Sequence, residues 1–232
     1  MQLGIIHVNV PLKAMQSYRV GLTALVTFLA TVSTPLIVGS IAVFSPPATS
    51  VQAQDTRQAQ ASQLLQQGIE QYQKGQLDAA VQSWQQALKI YQQLQERQGE
   101  ATALGNLGAA YLAMGNYKQA IASLQPLLPI AQALGDRQGE AQALGNLGIA
   151  YKGLGDYDKA ITSHQQALAL MQQLKDRQGE GQILGNLGNA YEGLGNYEKA
   201  IESYQQSLTI AREINDRIGE GAAIGNLGAI YA

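Results

Sequence analysis

Four asparagines, Asn106, Asn146, Asn186 and Asn226, recur every forty residues, each inside the tetrapeptide Gly-Asn-Leu-Gly. A carboxamide carries two N–H donors and a carbonyl acceptor, the complement of the C=O and N–H groups along an extended peptide. Asn is a poor helix former, so four copies at helical positions imply a use beyond local propensity. Gly105, Gly145, Gly185 and Gly225 precede them, each costing about 1 kcal/mol relative to Ala inside a helix. These glycines either admit a ligand backbone closely or let neighbouring helices touch. The candidate peptide-contacting set is therefore Asn106, Asn146, Asn186, Asn189 and Asn226 with Gly105, Gly145 and Gly185. The competing use of the asparagines is a bond to the neighbouring repeat that only organises stacking.

Little else in the chain could carry a reaction. There is no Cys, hence no disulfide, thiol nucleophile or zinc-finger cluster. His164 is the one histidine beyond residue 53, and it occupies the same repeat position as Trp84, Leu124 and Tyr204, which reads as a packed core residue. With no second His and no clustered carboxylates beside it, no catalytic residue, metal ligand or cofactor site is expected. Formal charge is −2, and the loss of Lys13 and Arg19 with residues 1–53 would leave −4. An acidic, unclustered balance argues against a nucleic-acid partner.

The elements that must position the asparagines follow from the period. A constant spacing of forty residues means a stacked array in which each unit buries its apolar face only against its neighbours. Leu144, Leu147, Tyr151 and Leu154 keep helical spacing, and so do Ala160, Ile161, His164, Ala167 and Leu168 on a second helix. Gly115, Gly155 and Gly195 close the first helix of each pair in a left-handed conformation. Asp136, Asp176 and Asp216 stand where the next first helix begins and can cap its free N–H groups. Gly108, Gly148 and Gly188 are expected to face Ala120, Ala160 and Ala200 at a close helix crossing. Arg97/Glu100, Arg137/Glu140, Arg177/Glu180 and Arg217/Glu220 read as local pairs on a solvated face. Pro126 and Pro129 predict a kink or break near residues 125–129.

Leu147-Gly148, Tyr151, Ala160, His164 and Ala167 match the Leu-Gly, Tyr, Ala, aromatic and small-residue columns of the tetratricopeptide repeat, which the chain resembles over roughly residues 61–232. The version with Asp-Arg-x-Gly-Glu and Leu-Gly-Asn-Leu-Gly is most similar to the Pins/LGN type. A secreted, Gln-rich form also resembles the repeat halves of bacterial proteins that join such repeats to a CHAT-like protease domain. The resemblance implies an all-α fold, a right-handed α-solenoid of antiparallel helix pairs, with the first helix of each pair lining a concave groove. It also implies a scaffold binding an extended peptide or protein partner, with no catalysis of its own. The alternatives are the sensor half of a larger enzyme, or a self-assembling module. Arrays of this family that hold acidic tails add Lys or Arg to the groove, where Thr102, Gln142, Gln182 and Ala222 stand here. A neutral strand is therefore the better ligand. Four Asn contacts at roughly 1 kcal/mol each give about 4 kcal/mol, against about 8 for micromolar binding.

The chain divides into residues 1–53, a polar tether at 54–60, and the array at 61–232: four full repeats, beginning near 59, 97, 137 and 177, and the first helix of a fifth. Lys13 and Arg19 precede an uncharged run over residues 20–44, and Val51-Gln52-Ala53 offers a cleavage site. This reads as a signal peptide or, uncleaved, a membrane anchor. Either leaves the repeats exported, periplasmic or extracellular, or held at the membrane by residues 20–44. The first repeat is the divergent one, as a solenoid cap should be. At the other end Ile224, Leu227 and Tyr231 form an apolar face without a following helix, which implies self-association.

Overall fold

The computed structural model describes residues 48–231, and among these every regular element is a helix. In order they are α1 (Ala48–Gln73), α2 (Leu77–Leu94), α3 (Arg97–Ala113), α4 (Tyr117–Leu134), α5 (Arg137–Gly153), α6 (Tyr157–Leu174), α7 (Arg177–Gly193), α8 (Tyr197–Glu213) and α9 (Arg217–Tyr231). The connections are two or three residues long, which makes each helix antiparallel to the next. Each packs on its neighbours in sequence, and each odd-numbered helix also touches the next odd-numbered one. No two even-numbered helices meet. The odd helices thus form the inner rank of an α-solenoid and the even helices an outer rank.

Helix limits are set by local chemistry. Gly115, Gly155 and Gly195 turn the chain with φ of 71°, 79° and 81°, a conformation glycine adopts without a steric penalty. The next turn uses Gln95, Gly135, Lys175 and Asn215, also at positive φ. Asp136 and Asp176 then accept from the backbone N–H of Gly139 and Gly179 at 2.8 and 2.9 Å, and Asp216 accepts from Ile218 and Gly219. Glu96 does the same for α3 with its longer side chain.

Three expectations are corrected here. The seven residues 54–60, read as a tether, belong to the start of α1, as do Val51, Gln52 and Ala53, and residues 52–60 are exposed there. Helix α4 runs unbroken through Pro126 and Pro129. Both prolines lie on its exposed side, so the carbonyls of Ala122 and Gln125 that lose their helical donors are on exposed residues, where water can reach them. Gly108, Gly148 and Gly188 face not the alanines but Leu124, His164 and Tyr204, and Gly68 faces Trp84. The helices cross where the large residue of one fills the bare backbone of the other, one helical turn beyond the expected alanine. Residues 1–47, which include the apolar run 20–44 and most of the segment read as a signal or anchor, lie outside the described residues. No described helix is long and apolar enough to cross a membrane.

Candidate functional site

The inner helices carry the asparagine ladder, and each is free of ionisable residues through its middle: residues 101–110, 141–150, 181–190 and 221–230 contain none. Small residues dominate these stretches, and the neighbouring helices close on them. Every residue from Ala103 to Ala110, and from Ala143 to Ala150, is buried.

Two expected groove residues are consequently not open. Asn146 is 0% exposed and Asn106 is 9% exposed, with Gly105 and Gly145 buried beside them. Asn186 and Asn226 are half-buried, as is Gly185. Gly185 lies opposite the Ser207 hydroxyl of α8, which a Cβ there would meet at an ordinary contact distance of 3.7 Å. Asn189 does not join the ladder. Its Oδ1 lies 2.8 Å from the Tyr204 hydroxyl, which also donates toward Glu192 Oε2 at 2.7 Å. Burial, then the Glu192 carboxylate, raises the Tyr204 phenol above its usual range.

The stacking role expected for the ladder is absent too. Nδ2 of Asn106, Asn146 and Asn186, and Oδ1 of Asn146, have no hydrogen-bond partner. A buried carboxamide left unpaired costs about 1–3 kcal/mol, and native proteins keep few such groups. The same amide is orphaned in three successive repeats, which makes it a feature of the unit.

Repeat stacking rests on other polar groups. Glu100, Glu140 and Glu180 are buried, contrary to the solvated face expected. Each takes an arginine three residues earlier, at 2.8, 3.0 and 2.5 Å. A glutamine eight residues earlier, on the preceding outer helix, donates to the other carboxylate oxygen: Gln92, Gln132 and Gln172. In the last junction Arg212 replaces the glutamine at 2.8 Å from Glu220. Gln85, Gln125 and Gln165 of the outer helices donate to the hydroxyls of Tyr111, Tyr151 and Tyr191 in the following repeat, at 3.0, 3.1 and 3.2 Å. Sequence reading missed both sets, although each recurs at forty residues.

His164 is fully buried against Gly148, neither ring nitrogen has a partner, and burial, with Lys152 adding repulsion, holds its pKa down to about 4. It is a neutral packing residue. Among the described residues no group of His, Cys, Asp and Glu is placed to hold a metal ion.

The comparisons agree with this architecture. None of the curated proteins matches the chain. Similar folds are found in aspartyl phosphate phosphatase F from Bacillus subtilis (18% identity, TM-score 0.63, covering 75% of this chain and 49% of that one). A Rap protein complexed with competence and sporulation factor is also similar (17%, 0.62, 72% and 47%). A third is a signal transduction ATPase with numerous domains that carries a tetratricopeptide repeat sensor, from Pyrococcus horikoshii (21%, 0.63, 72% and 26%). The chain thus spans half or less of the length of these proteins, and the likeness is one of fold. The tetratricopeptide repeat family itself matches residues 69–133, 99–173 and 179–232, well over half of the sequence. With helix pairs, turns and a forty-residue period all in agreement, the chain belongs to the tetratricopeptide repeat family.

Proposed function

We propose that this chain is a binding scaffold which takes an extended peptide or protein segment along its inner helices, with the ladder Asn106, Asn146, Asn186 and Asn226 reading the ligand backbone, through the half-buried Asn186 and Asn226 first and through the buried Asn106 and Asn146 once the inner helices part around the ligand. The orphaned carboxamides of three successive repeats carry this reading. Each holds donors that nothing in its own fold uses, at a cost the array bears three times over. The Rap protein complexed with competence and sporulation factor supports it as a fold analogy. Export belongs to the same reading: residues 1–53 deliver the repeats across a membrane, so N-terminal sequencing of the exported protein should find Gln54 first. Recovery of the whole apolar segment in a membrane fraction would support the anchor instead.

The test replaces Asn146 and Asn186 together with Ala. Capture of a co-purified partner should weaken by about 1–3 kcal/mol, with a melting temperature held or raised, because Ala is the better helix former. Binding lost only in proportion to unfolding would overturn the reading.

A second reading, the sensor half of a longer enzyme such as one with a CHAT-like protease domain, is favoured by the Pyrococcus horikoshii protein, where a tetratricopeptide repeat sensor is one part of a much longer chain. The reading frame downstream of the Ala232 codon decides it: a His/Cys dyad there supports the longer enzyme, and a stop codon the free scaffold.

A further inference from the structure

Inner helix α7 receives outer helix α8 along a seam of glycines. A Cβ added at Gly188 would meet the Tyr204 ring, one at Gly185 the Ser207 hydroxyl and one at Gly181 the Ile210 side chain. The Ser207 hydroxyl also donates to the Gly181 carbonyl at 2.8 Å, and Arg177, one turn before the first glycine, pairs with Glu213. The side chains that α8 brings to the seam thus stand at 204, 207, 210 and 213, a three-residue step that keeps them on one side of the helix.

Helix α9 repeats the α7 half of this seam without the α8 half. Arg217, Gly221, Gly225 and Gly228 hold the same positions, forty residues on. All three glycines are exposed, and a Cβ added to any of them has no described atom within 4 Å. Arg217 keeps its pair with Glu220 at 3.3 Å but has no counterpart of Glu213 among the described residues, and its side chain is 89% exposed against 44% for Arg177. The match is to α7 in particular, because Ala101 and Ala141 stand where α7 and α9 have their first glycine.

We propose that this face of α9 docks one amphipathic helix of a partner protein, antiparallel to α9. At successive three-residue steps that helix carries a large aromatic or aliphatic residue, a small hydroxyl residue, a β-branched aliphatic and a carboxylate. Continuity with the α7–α8 interface identifies the occupant. The large residue fills the space over Gly228, as Trp84, Leu124, His164 and Tyr204 fill it over the equivalent glycines. The hydroxyl bonds the Gly221 carbonyl, the aliphatic lies on Gly221, and the carboxylate takes the open side of Arg217. The site uses no asparagine of the ladder, so it stands or falls apart from the scaffold reading.

The probe is a synthetic peptide of residues 197–213, the α8 sequence itself, added in excess to the full chain labelled with 15N-glycine. Excess compensates for the low helicity of so short an isolated segment. Amide shifts are expected at Gly221, Gly225 and Gly228, and none at Gly181, Gly185 or Gly188, whose seats are taken. A Tyr204→Ala peptide should bind about tenfold more weakly. A Glu213→Lys peptide should lose about fivefold, an effect that added salt removes. In the protein, Gly228→Leu should abolish the shifts with the melting temperature unchanged or raised, since that position is open and leucine is the better helix former. Undisturbed α9 glycines in excess peptide, or equal binding to Gly228→Leu, overturns the proposal. So does a dimer built on α9 that the peptide fails to displace, which would make a second copy the occupant.

Discussion

His164 packs directly onto the bare backbone of Gly148: a methyl group added to that glycine would stand 2.4–2.6 Å from the imidazole atoms, well inside van der Waals contact. The same relationship joins Gly108 to Leu124 and Gly188 to Tyr204, so the repeat tolerates leucine, histidine or tyrosine by keeping the opposing residue at zero volume. Gly148→Ala should therefore destabilise by about 1–3 kcal/mol through overpacking, outweighing a helix-propensity gain of about 1 kcal/mol. Thermal or urea unfolding measures it. A stabilised variant would mean that the two helices separate without cost.

The imidazole itself gives the array a pH dependence. Its folded pKa of about 4 lies below the ordinary 6.5, so between these values the unfolded chain binds the extra proton. Stability is present in full above about pH 6.5 and falls as pH drops toward 4, by about 3 kcal/mol in total at 1.36 kcal/mol per pH unit. His164→Leu, the residue that repeat two uses, should flatten that part of the profile. Denaturant midpoints from pH 4 to 7.5 in both proteins provide the check, and parallel profiles would count against a neutral buried histidine.

At the junction between repeats the carboxylate matters more than its arginine. Glu140 is buried and takes Gln132 at 2.6 Å as well as Arg137 at 3.0 Å, whereas the Arg137 side chain is 60% exposed. Glu140→Ala should cost about 1–3 kcal/mol, since it removes the charge-assisted hydrogen bonds that a buried carboxylate makes to Gln132 and Arg137. Arg137→Ala should cost under about 1 kcal/mol. Equal losses in unfolding experiments would return the pair to the solvated face first expected of it.

Helix α9 exposes Ile218, Ile224 and Tyr231, while Leu227 packs against the cluster that contains Leu187 and Tyr204. Self-association of the 54–232 fragment through these three side chains is the expected outcome, visible as a concentration-dependent sedimentation coefficient and removed by Ile224→Lys. A monomer at every concentration would exclude it.

What the sequence made legible was whatever repeats within one helix or one turn. The capping aspartates, the glycine at residue 155 and the core position of His164 all depend on spacing along a single chain segment. The Gln132–Glu140 bond crosses a turn between helices, and its partners look like surface residues until the two helices are set side by side. Pro126 and Pro129 misled for a related reason: the cost of a proline depends on whether the freed carbonyls reach water, and that is decided by which flank of α4 faces out.

The absence of contact between even-numbered helices gives the outer rank an independence that the inner rank lacks. A change on the outward flank of α4 or α6 is felt by its own repeat and by the inner helices it rests on, and is not relayed to the next outer helix. This makes the convex side the editable part of the molecule. A fluorophore, an affinity handle or a second binding module grafted near Ala122 or Pro126 can be carried there while the spacing of the asparagines stays in register.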